Sequence, residues 1–309
     1  MNIDEKAKSL SNLRNESLVE VYLKYPKEVI KSLPLKYPRY LKNLSNLVIK
    51  KSWKDKDLAY IMTSDNKIFA NTVGIPYHHN IYEVYKDKIS KNLNKFTFLG
   101  GLDYCQRYEH ENWIPKNVKE NKNYTIIEVG SFLGHKAIKL SEKYLEKNNS
   151  KYIAIEMVKE NFQILKKNIS LNNLENVIIP LNYGISNSVE TRKIFTKGRQ
   201  RASIKAFDNV GYRPLFESKI TTLTKIIKNY NLKAIDFLYV TVNGAEWEVL
   251  DGALNEILKF RVILIVSKYD IQNHQLKQKI LEKLISKGFL ITQKKTSYLF
   301  VNTNFKPIC

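Results

Sequence analysis

Cysteine is scarce in this chain of 309 residues, and long apolar runs are missing. Its two cysteines, Cys105 and Cys309, are too few and too far apart for a disulfide framework or a metal site, and no other metal-ligand spacing is visible. The longest apolar run, Val262–Val266, is too short to cross a bilayer, and the amino-terminal segment lacks the apolar centre of a secretory signal. We therefore expect a cytoplasmic protein with no membrane span and no metal site.

Acidic residues are also in short supply. Lysine and arginine number 51 against 30 aspartate and glutamate residues, which gives a formal net charge of +21. Such an excess attracts anionic partners, such as nucleic acid or phosphorylated sugars. The lysines are spread along the whole chain, however, and the high content of Asn, Ile and Tyr is typical of an AT-rich genome. The charge therefore permits a nucleic-acid partner without requiring one.

The amino-terminal third has a pattern of its own. Prolines divide residues 1 to about 58 into segments with helix-like apolar spacing. Tyr60–Thr72 is typical of a hairpin, and Ile81–Leu93 predicts another helix. We therefore expect a mainly helical accessory or cap region with a short hairpin over residues 1–95, and a second domain over residues 96–309.

In the second region, short apolar runs alternate with helical patterns. This alternation predicts an α/β fold, with a mostly parallel sheet and helices on both faces. The last two strands predict a hairpin that adds one antiparallel strand. The predicted strands are Tyr124–Val129, Tyr152–Ile155, Val177–Leu181, Phe237–Val242, Val262–Val266, Phe289–Gln293 and Tyr298–Asn302, and the predicted helices are His135–Tyr144, Lys159–Ile169, Ile220–Tyr230, Trp247–Phe260 and Gln275–Lys287.

The segment Thr125–His135 predicts a strand, a glycine loop and the start of a helix. Open α/β sheets bind ligands at this end of their strands. Gly130 would let the chain turn sharply, and Gly134 would let the helix pack closely. Glu156 ends the next strand, 26 residues after Gly130, where a carboxylate can accept both hydroxyls of a ribose. The spacing G-x-x-x-G differs from that of dinucleotide sites, so we infer adenosine recognition without a pyrophosphate, which S-adenosylmethionine (SAM) fits.

Seven residues are expected to contact this cofactor. They are Glu128, Gly130, Ser131, Gly134, Glu156, Met157 and Asn182. Asn182 follows the third strand, where its amide could pair with the adenine edge, and a turn-capping role is the alternative.

Five segments resemble the FkbM family of SAM-dependent methyltransferases in both order and spacing. They are Tyr108–Glu111, Glu128–Gly134, Tyr152–Leu174, Arg201–Ser203 and Asp236–Gly252. The resemblance covers about residues 105–270. It implies a class I methyltransferase fold, which is Rossmann-like, and it implies methylation of an oxygen atom.

The chain departs from this family at several acidic positions. Thr241 and Asn243 stand where the family has an aspartate and a glutamate, and Thr224 replaces a further aspartate. Threonine and asparagine are poor general bases at neutral pH. The candidate catalytic residues are Thr241, Asn243, His135 and Glu109. The positive end of its helix would keep His135 neutral, and Glu109 could lie over the cofactor. A surface position for His135 and a loop-ordering salt bridge for Glu109 are the alternatives.

Three functions remain open from the sequence. The first is methyl transfer from SAM to a hydroxyl of a sugar, a glycan or a small metabolite. The second is a catalytically degenerate binding or scaffold protein that keeps the fold, which the lost acidic residues favour. The third is an RNA methyltransferase, and the charge alone suggests it. The oligomeric state is not predicted.

Overall fold

The structure is a computed structural model of the chain. It describes residues 49–55, 58–63, 66–72, 123–144, 150–196, 202–204, 213–266, 274–294 and 297–305. The chain forms two compact units, Met1–Glu109 and His110–Cys309. The helices expected before residue 49 and over Ile81–Leu93 lie outside the described residues.

The described part of the first unit is an antiparallel sheet. Its strands are β1 (Ile49–Asp55), β2 (Leu58–Thr63) and β3 (Ile68–Thr72), in that order. The pairing of β2 with β3 confirms the predicted hairpin. The prediction of a helix reaching residue 58 is wrong over β1, because β1 pairs with β2 and Trp53 stacks on Tyr60 at a centroid distance of 5.2 Å. Cross-strand packing of this kind overrides a local helical pattern.

The second unit alternates strands and helices. Its elements in chain order are β4 (Thr125–Val129), α1 (His135–Tyr144), β5 (Lys151–Ile155), α2 (Lys159–Leu171), β6 (Ile178–Leu181), β7 (Gly184–Ile185), β8 (Glu190–Thr196), β9 (Ala202–Ser203), β10 (Arg213–Thr221), α3 (Leu223–Asn229), β11 (Ile235–Val240), α4 (Glu246–Asp251), a 3₁₀ helix (Leu254–Lys259), β12 (Phe260–Val266), α5 (His274–Ser286), β13 (Phe289–Lys294) and β14 (Ser297–Asn302).

Seven of these strands form one sheet with the order β13-β14-β12-β11-β4-β5-β6. Neighbouring strands are parallel except at β14, which is antiparallel to both β12 and β13. This arrangement confirms the predicted fold class and the single reversed strand.

The central strands are buried on both faces. Ile127, Ile153, Leu238 and Ile263, one on each of four adjacent strands, are fully removed from solvent and belong to one core cluster. Near-continuous apolar runs are what a parallel sheet covered by helices requires. The strand order turns in opposite directions from β4, with β5 on one side and β11 on the other, so a ligand cleft is expected at their carboxyl ends.

A second, smaller sheet has the order β7-β10-β8-β9, and the sequence analysis did not predict it. The predicted helix Ile220–Tyr230 is wrong at its start, because Ile220 and Thr221 end β10. The helix α3 begins only at Leu223, where the side chain of Thr222 caps it by accepting a hydrogen bond from the Lys225 N–H at 3.1 Å.

The predicted helix Trp247–Phe260 is two elements. The helix α4 ends at Asp251, a 3₁₀ helix follows, and Phe260 already belongs to β12. The break falls at Gly252, where a β-carbon would lie 2.3 Å from the carbonyl oxygen of Ser186. None of the helices in the described part of the chain is long and apolar enough to span a membrane.

Candidate functional site

An open cleft of about 540 Å³, its mouth included, lies at the carboxyl ends of β4, β5 and β11. Five of the residues predicted for the site line it, namely Gly130, Glu156, Met157, Thr241 and Asn243. The structure therefore brings together residues that lie more than 110 positions apart in the sequence.

The glycine loop is held against the neighbouring strands. The N–H groups of Gly130 and Ser131 both donate to the carbonyl oxygen of Ile155 at 2.9 Å. Gly130 has φ of +89°, and a β-carbon there would lie 2.2 Å from the carbonyl oxygen of Thr241. This position therefore needs glycine for its backbone conformation and for the close approach of β4 to the segment after β11.

Position 134 also requires glycine, for a different steric reason. Its φ is +80°, and a β-carbon would lie 2.4 Å from Cδ1 of Leu165 in α2. The loop before it is fixed from the same helix, because the Asn168 side-chain amide donates to the carbonyl oxygen of Leu133 at 2.8 Å. Gly134 thus allows close helix packing, and it is not among the residues that line the cleft.

Glu156 follows β5, is 6% exposed and lines the cleft. Oε2 accepts a hydrogen bond from the Phe132 N–H at 2.9 Å, and Oε1 accepts one from the Val158 N–H at 2.9 Å and one from the Asn161 amide at 3.4 Å. A carboxylate offers about four acceptor positions, so capacity remains for a ligand hydroxyl. Burial raises the pKa of Glu156 to about 7 against the opposing effect of these donors, and the nearby Glu128 raises it further.

Glu128 does not line the cleft. Its carboxylate is buried, with Oε1 2.9 Å from Nζ of Lys136 and Oε2 accepting the Tyr152 hydroxyl at 2.8 Å. Ser131, another predicted contact residue, is also buried and donates its hydroxyl to the Glu128 carbonyl oxygen at 3.2 Å. In this structure, both side chains support the glycine loop from within the protein.

Met157 and Asn182 differ in their relation to the cleft. Met157 lines it directly. The Asn182 amide nitrogen donates to the carbonyl oxygens of Glu156 at 2.8 Å and Met157 at 3.2 Å, so it holds the backbone after β5. The amide oxygen of Asn182 is then the atom that could meet an adenine amino group, and this contact stays a prediction.

Thr241 and Asn243 line the cleft from the segment after β11. Asn243 has φ of +55°, a conformation that asparagine tolerates, and its carbonyl oxygen accepts the Ser203 hydroxyl at 2.9 Å. The Gly244 N–H donates to both carboxylate oxygens of Glu246, at 3.1 and 3.0 Å. Glu246 is 1% exposed and therefore fixes the turn from inside, as a helix-capping acid would.

The structure does not bring His135 together with Thr241 and Asn243. His135 is 3% exposed, burial lowers its pKa to about 4, and it does not line the cleft. Glu109 lies outside the described residues. Thr224 is also outside the cleft, since its hydroxyl donates to the carbonyl oxygen of Gly252 at 2.8 Å, at the junction of α3 and the end of α4.

Nine further residues line the cleft that were not predicted as site residues, and three of them have larger side chains near the predicted contacts or in the small sheet. Phe132 belongs to the glycine loop, Tyr183 follows β6, and Ile204 follows β9 in the small sheet. Phe132 and Tyr183 are adjacent to predicted contacts, so their positions in the sequence gave a signal. Ile204 gave none, because the strand before it is only two residues long.

The lining suits SAM. Glu156 provides a carboxylate acceptor for a ribose hydroxyl, and Met157 and Ile185 add apolar surface for a base. Thr241 and Asn243 supply neutral polar groups in the same cleft. The residues present therefore fit an adenosine-containing ligand that carries no phosphate.

Comparison with known proteins gives one family. The model of the methyltransferase FkbM domain matches residues 128–291, more than half of the chain. Among solved structures, a methyltransferase FkbM from Methylobacillus flagellatus is 16% identical to this chain, with a TM-score of 0.42. That match covers 66% of this chain and 52% of the other protein, so this chain spans about half the length of that protein. The N-terminal domain of human METTL16 in complex with S-adenosylhomocysteine is 15% identical, with a TM-score of 0.38, and the match covers 94% of this chain and 98% of that one. TrmK of M. capricolum with S-adenosylhomocysteine is 14% identical, with a TM-score of 0.36, and the match covers 61% of this chain and 67% of that one. No curated protein matches.

The family match spans the glycine loop, Glu156 and the turn at Thr241–Asn243, which are the parts that form the cleft. It agrees with the strand order, and it confirms both the predicted fold and SAM as the cofactor. This chain belongs to the methyltransferase FkbM domain family.

Proposed function

We propose that this chain transfers a methyl group from SAM to a hydroxyl of a sugar, a glycan or another small metabolite. The observation that carries the proposal is the position of Glu156, which is buried, bonded to the glycine loop and lines the same cleft as Thr241 and Asn243. A carboxylate in this position favours a ligand that donates a hydroxyl hydrogen, as a ribose does.

When bound, SAM supplies an electrophilic methyl group on a sulfonium centre. The chain provides the binding site and the orientation. Glu156 accepts a hydrogen bond from a ribose hydroxyl, and Thr241 and Asn243 hold the acceptor by hydrogen bonds. Placing two reactants in line can supply much of the acceleration, so a strong base is not required of these neutral side chains. The acceptor oxygen would replace sulfur on the methyl group, sulfur would keep the electron pair of the broken bond, and the hydroxyl proton would pass to water in the open cleft.

Calorimetric titration with SAM tests the first half of this proposal. We expect the wild type to bind and Glu156→Ala to lose most of its affinity. Glu160→Ala is the matched control, because Glu160 is an exposed residue in the first turn of α2, outside the cleft. Binding that is equal in the wild type and in Glu156→Ala contradicts this account of the site.

Labelled methyl transfer into cell extract tests the second half. The products are separated into glycan, small-molecule and RNA fractions, and we expect the label in the first two. Label in RNA alone would contradict the proposed acceptor and support an RNA methyltransferase.

A second candidate is a protein that binds SAM without turnover. This candidate is favoured by the neutral side chains of Thr241 and Asn243. They stand at positions where the resemblance implies acidic residues, and they are poor general bases. Thr224 gives it no support, because that residue packs against Gly252 and does not line the cleft. Binding in calorimetry together with no label in any fraction is the outcome that this candidate predicts.

A further inference from the structure

Phe132 has an unusual backbone conformation. Its φ is +51°, in the left-handed region that side chains other than glycine and asparagine rarely adopt. In the described part of the chain, five non-glycine residues have positive φ. Four of them are asparagine, namely Asn66, Asn173, Asn231 and Asn243, and Phe132 is the exception. A bulky residue in this region carries strain, and such strain concentrates at functional sites.

The surrounding contacts keep Phe132 in this conformation. Its N–H donates to Oε2 of Glu156 at 2.9 Å. On either side of it, the Gly134 N–H donates to the carbonyl oxygen of Ser131 at 2.9 Å, and the carbonyl oxygen of Leu133 accepts the Asn168 amide at 2.8 Å. The loop is therefore fixed on both sides of Phe132, so the strained residue cannot relax without breaking these bonds.

Phe132 lines the same cleft as Glu156, Thr241 and Asn243, and it is half-buried. The bond from its N–H to Glu156 places the Phe132 backbone beside the residue expected to hold the ribose. The sulfonium of SAM is separated from the ribose ring by one carbon, so a ribose held at Glu156 brings the sulfonium near this segment.

The charge of the cofactor changes during the reaction. SAM carries a sulfonium cation, and the product S-adenosylhomocysteine carries a neutral thioether in its place. The face of an aromatic ring attracts cations, whereas an aliphatic side chain of similar size does not. In the described lining of the cleft, Glu156 is the only carboxylate, and its oxygens already accept three hydrogen bonds from the protein.

We propose that Phe132 presents its aromatic ring to the sulfonium of the bound cofactor, and that this contact makes the site prefer SAM to S-adenosylhomocysteine. The inference rests on the proposed function, because it requires that SAM binds in this cleft. It assigns to Phe132 a role in cofactor selection and product release, in addition to lining the site.

The test is a calorimetric comparison of SAM with S-adenosylhomocysteine at one pH. The measured quantity is the ratio of their two affinities, so a general loss of binding cancels. We expect Phe132→Leu to lower the preference for SAM about five- to thirtyfold, the range for a desolvated contact between a cation and an aromatic ring. Phe132→Tyr retains the ring and should keep the ratio within about twofold of the wild type.

Two variants complete the experiment. Phe132→Asn removes the ring but tolerates positive φ, so it should fold with a melting temperature at or above that of the wild type and still lose the preference. Tyr183→Leu removes the other aromatic ring of the described lining, and it should weaken both ligands alike.

Each outcome decides the proposal. A reduced ratio in Phe132→Leu and Phe132→Asn, but not in Phe132→Tyr, supports it. An unchanged affinity ratio in Phe132→Leu or in Phe132→Asn overturns the proposal, even if the affinity for both ligands falls. A wild type that binds neither ligand overturns the proposed function as well, and this separates the two failures.

Discussion

Lys136 and Glu128 form an ion pair beneath the glycine loop, with Nζ 2.9 Å from Oε1 and both side chains almost completely buried. The ammonium also lies 3.2 Å from the centroid of the Tyr239 ring, and Tyr152 donates to the other carboxylate oxygen of Glu128. The cluster joins α1 to β4, β5 and β11. The elements on both sides of the loop are therefore connected through buried polar groups.

Lys136→Met is expected to destabilise the protein by about 3–5 kcal/mol, because it leaves the Glu128 carboxylate buried without its partner. Chemical denaturation measures this as a lower free energy of unfolding. Lys167→Met, at an exposed position of α2, is the control and should change it by less than about 0.5 kcal/mol.

The double variant Lys136→Met, Glu128→Gln separates the ion pair from side-chain packing. Removing both charges should recover part of the lost stability, since no unpaired charge remains. A double variant that is less stable than Lys136→Met would contradict this explanation.

The stability contributed by Glu156 should fall as the pH rises. Burial raises the pKa of Glu156 from its ordinary value of 4.5 to about 7, so the folded chain binds this proton more tightly than the unfolded chain. The contribution is therefore complete below pH 4.5 and is lost as the pH rises through about 7. Between these limits the wild type should lose roughly 3 kcal/mol relative to Glu156→Gln in denaturation experiments.

Cofactor affinity should depend on the same proton in the opposite sense. Ribose hydroxyls donate more strongly to an ionised carboxylate than to the neutral acid. The affinity for SAM is therefore expected to increase as the pH rises through about 7 in the wild type. In Glu156→Gln the affinity should be lower and should lack this increase, and an equal increase in both proteins would contradict the assignment.

The sequence predicted the parts of the site that depend on local chain geometry. Gly130 and Glu156 each end a buried strand, and parallel strands bring their carboxyl ends to one edge of the sheet. The reversed strand β14 was predictable for the same reason, since a short turn can only join antiparallel strands. Strand position alone was enough for these features.

The features that the sequence did not predict depend on contacts between distant residues. The strand β8 contains Glu190, Arg192 and Lys193, and β7 and β9 in the same small sheet have two residues each, so local patterning gave little signal. Lys136 stands at the second position of an amphipathic helix, where an exposed lysine is the usual expectation. Its burial depends on Glu128 and on Tyr239, which is 103 positions away.

The two threonines that replace expected acids should behave differently when their hydroxyls are removed. Thr224→Val deletes the hydrogen bond to the Gly252 carbonyl oxygen, so we expect a loss of about 1 kcal/mol in the free energy of unfolding. Because Thr224 does not line the cleft, the Thr224→Val protein should bind SAM in calorimetry with the same affinity as the wild type.

Thr241→Val is the matched variant inside the cleft. It has the same change of shape and chemistry, but Thr241 lies against Gly130 at the wall assigned to the acceptor. We expect a rate of labelled methyl transfer about tenfold lower, which corresponds to one lost hydrogen bond in the transition state. The contrary result is a lower SAM affinity in Thr224→Val together with an unchanged transfer rate in Thr241→Val. That result would reverse the assignment, because position 224 would then act on the site and position 241 would only shape the cleft.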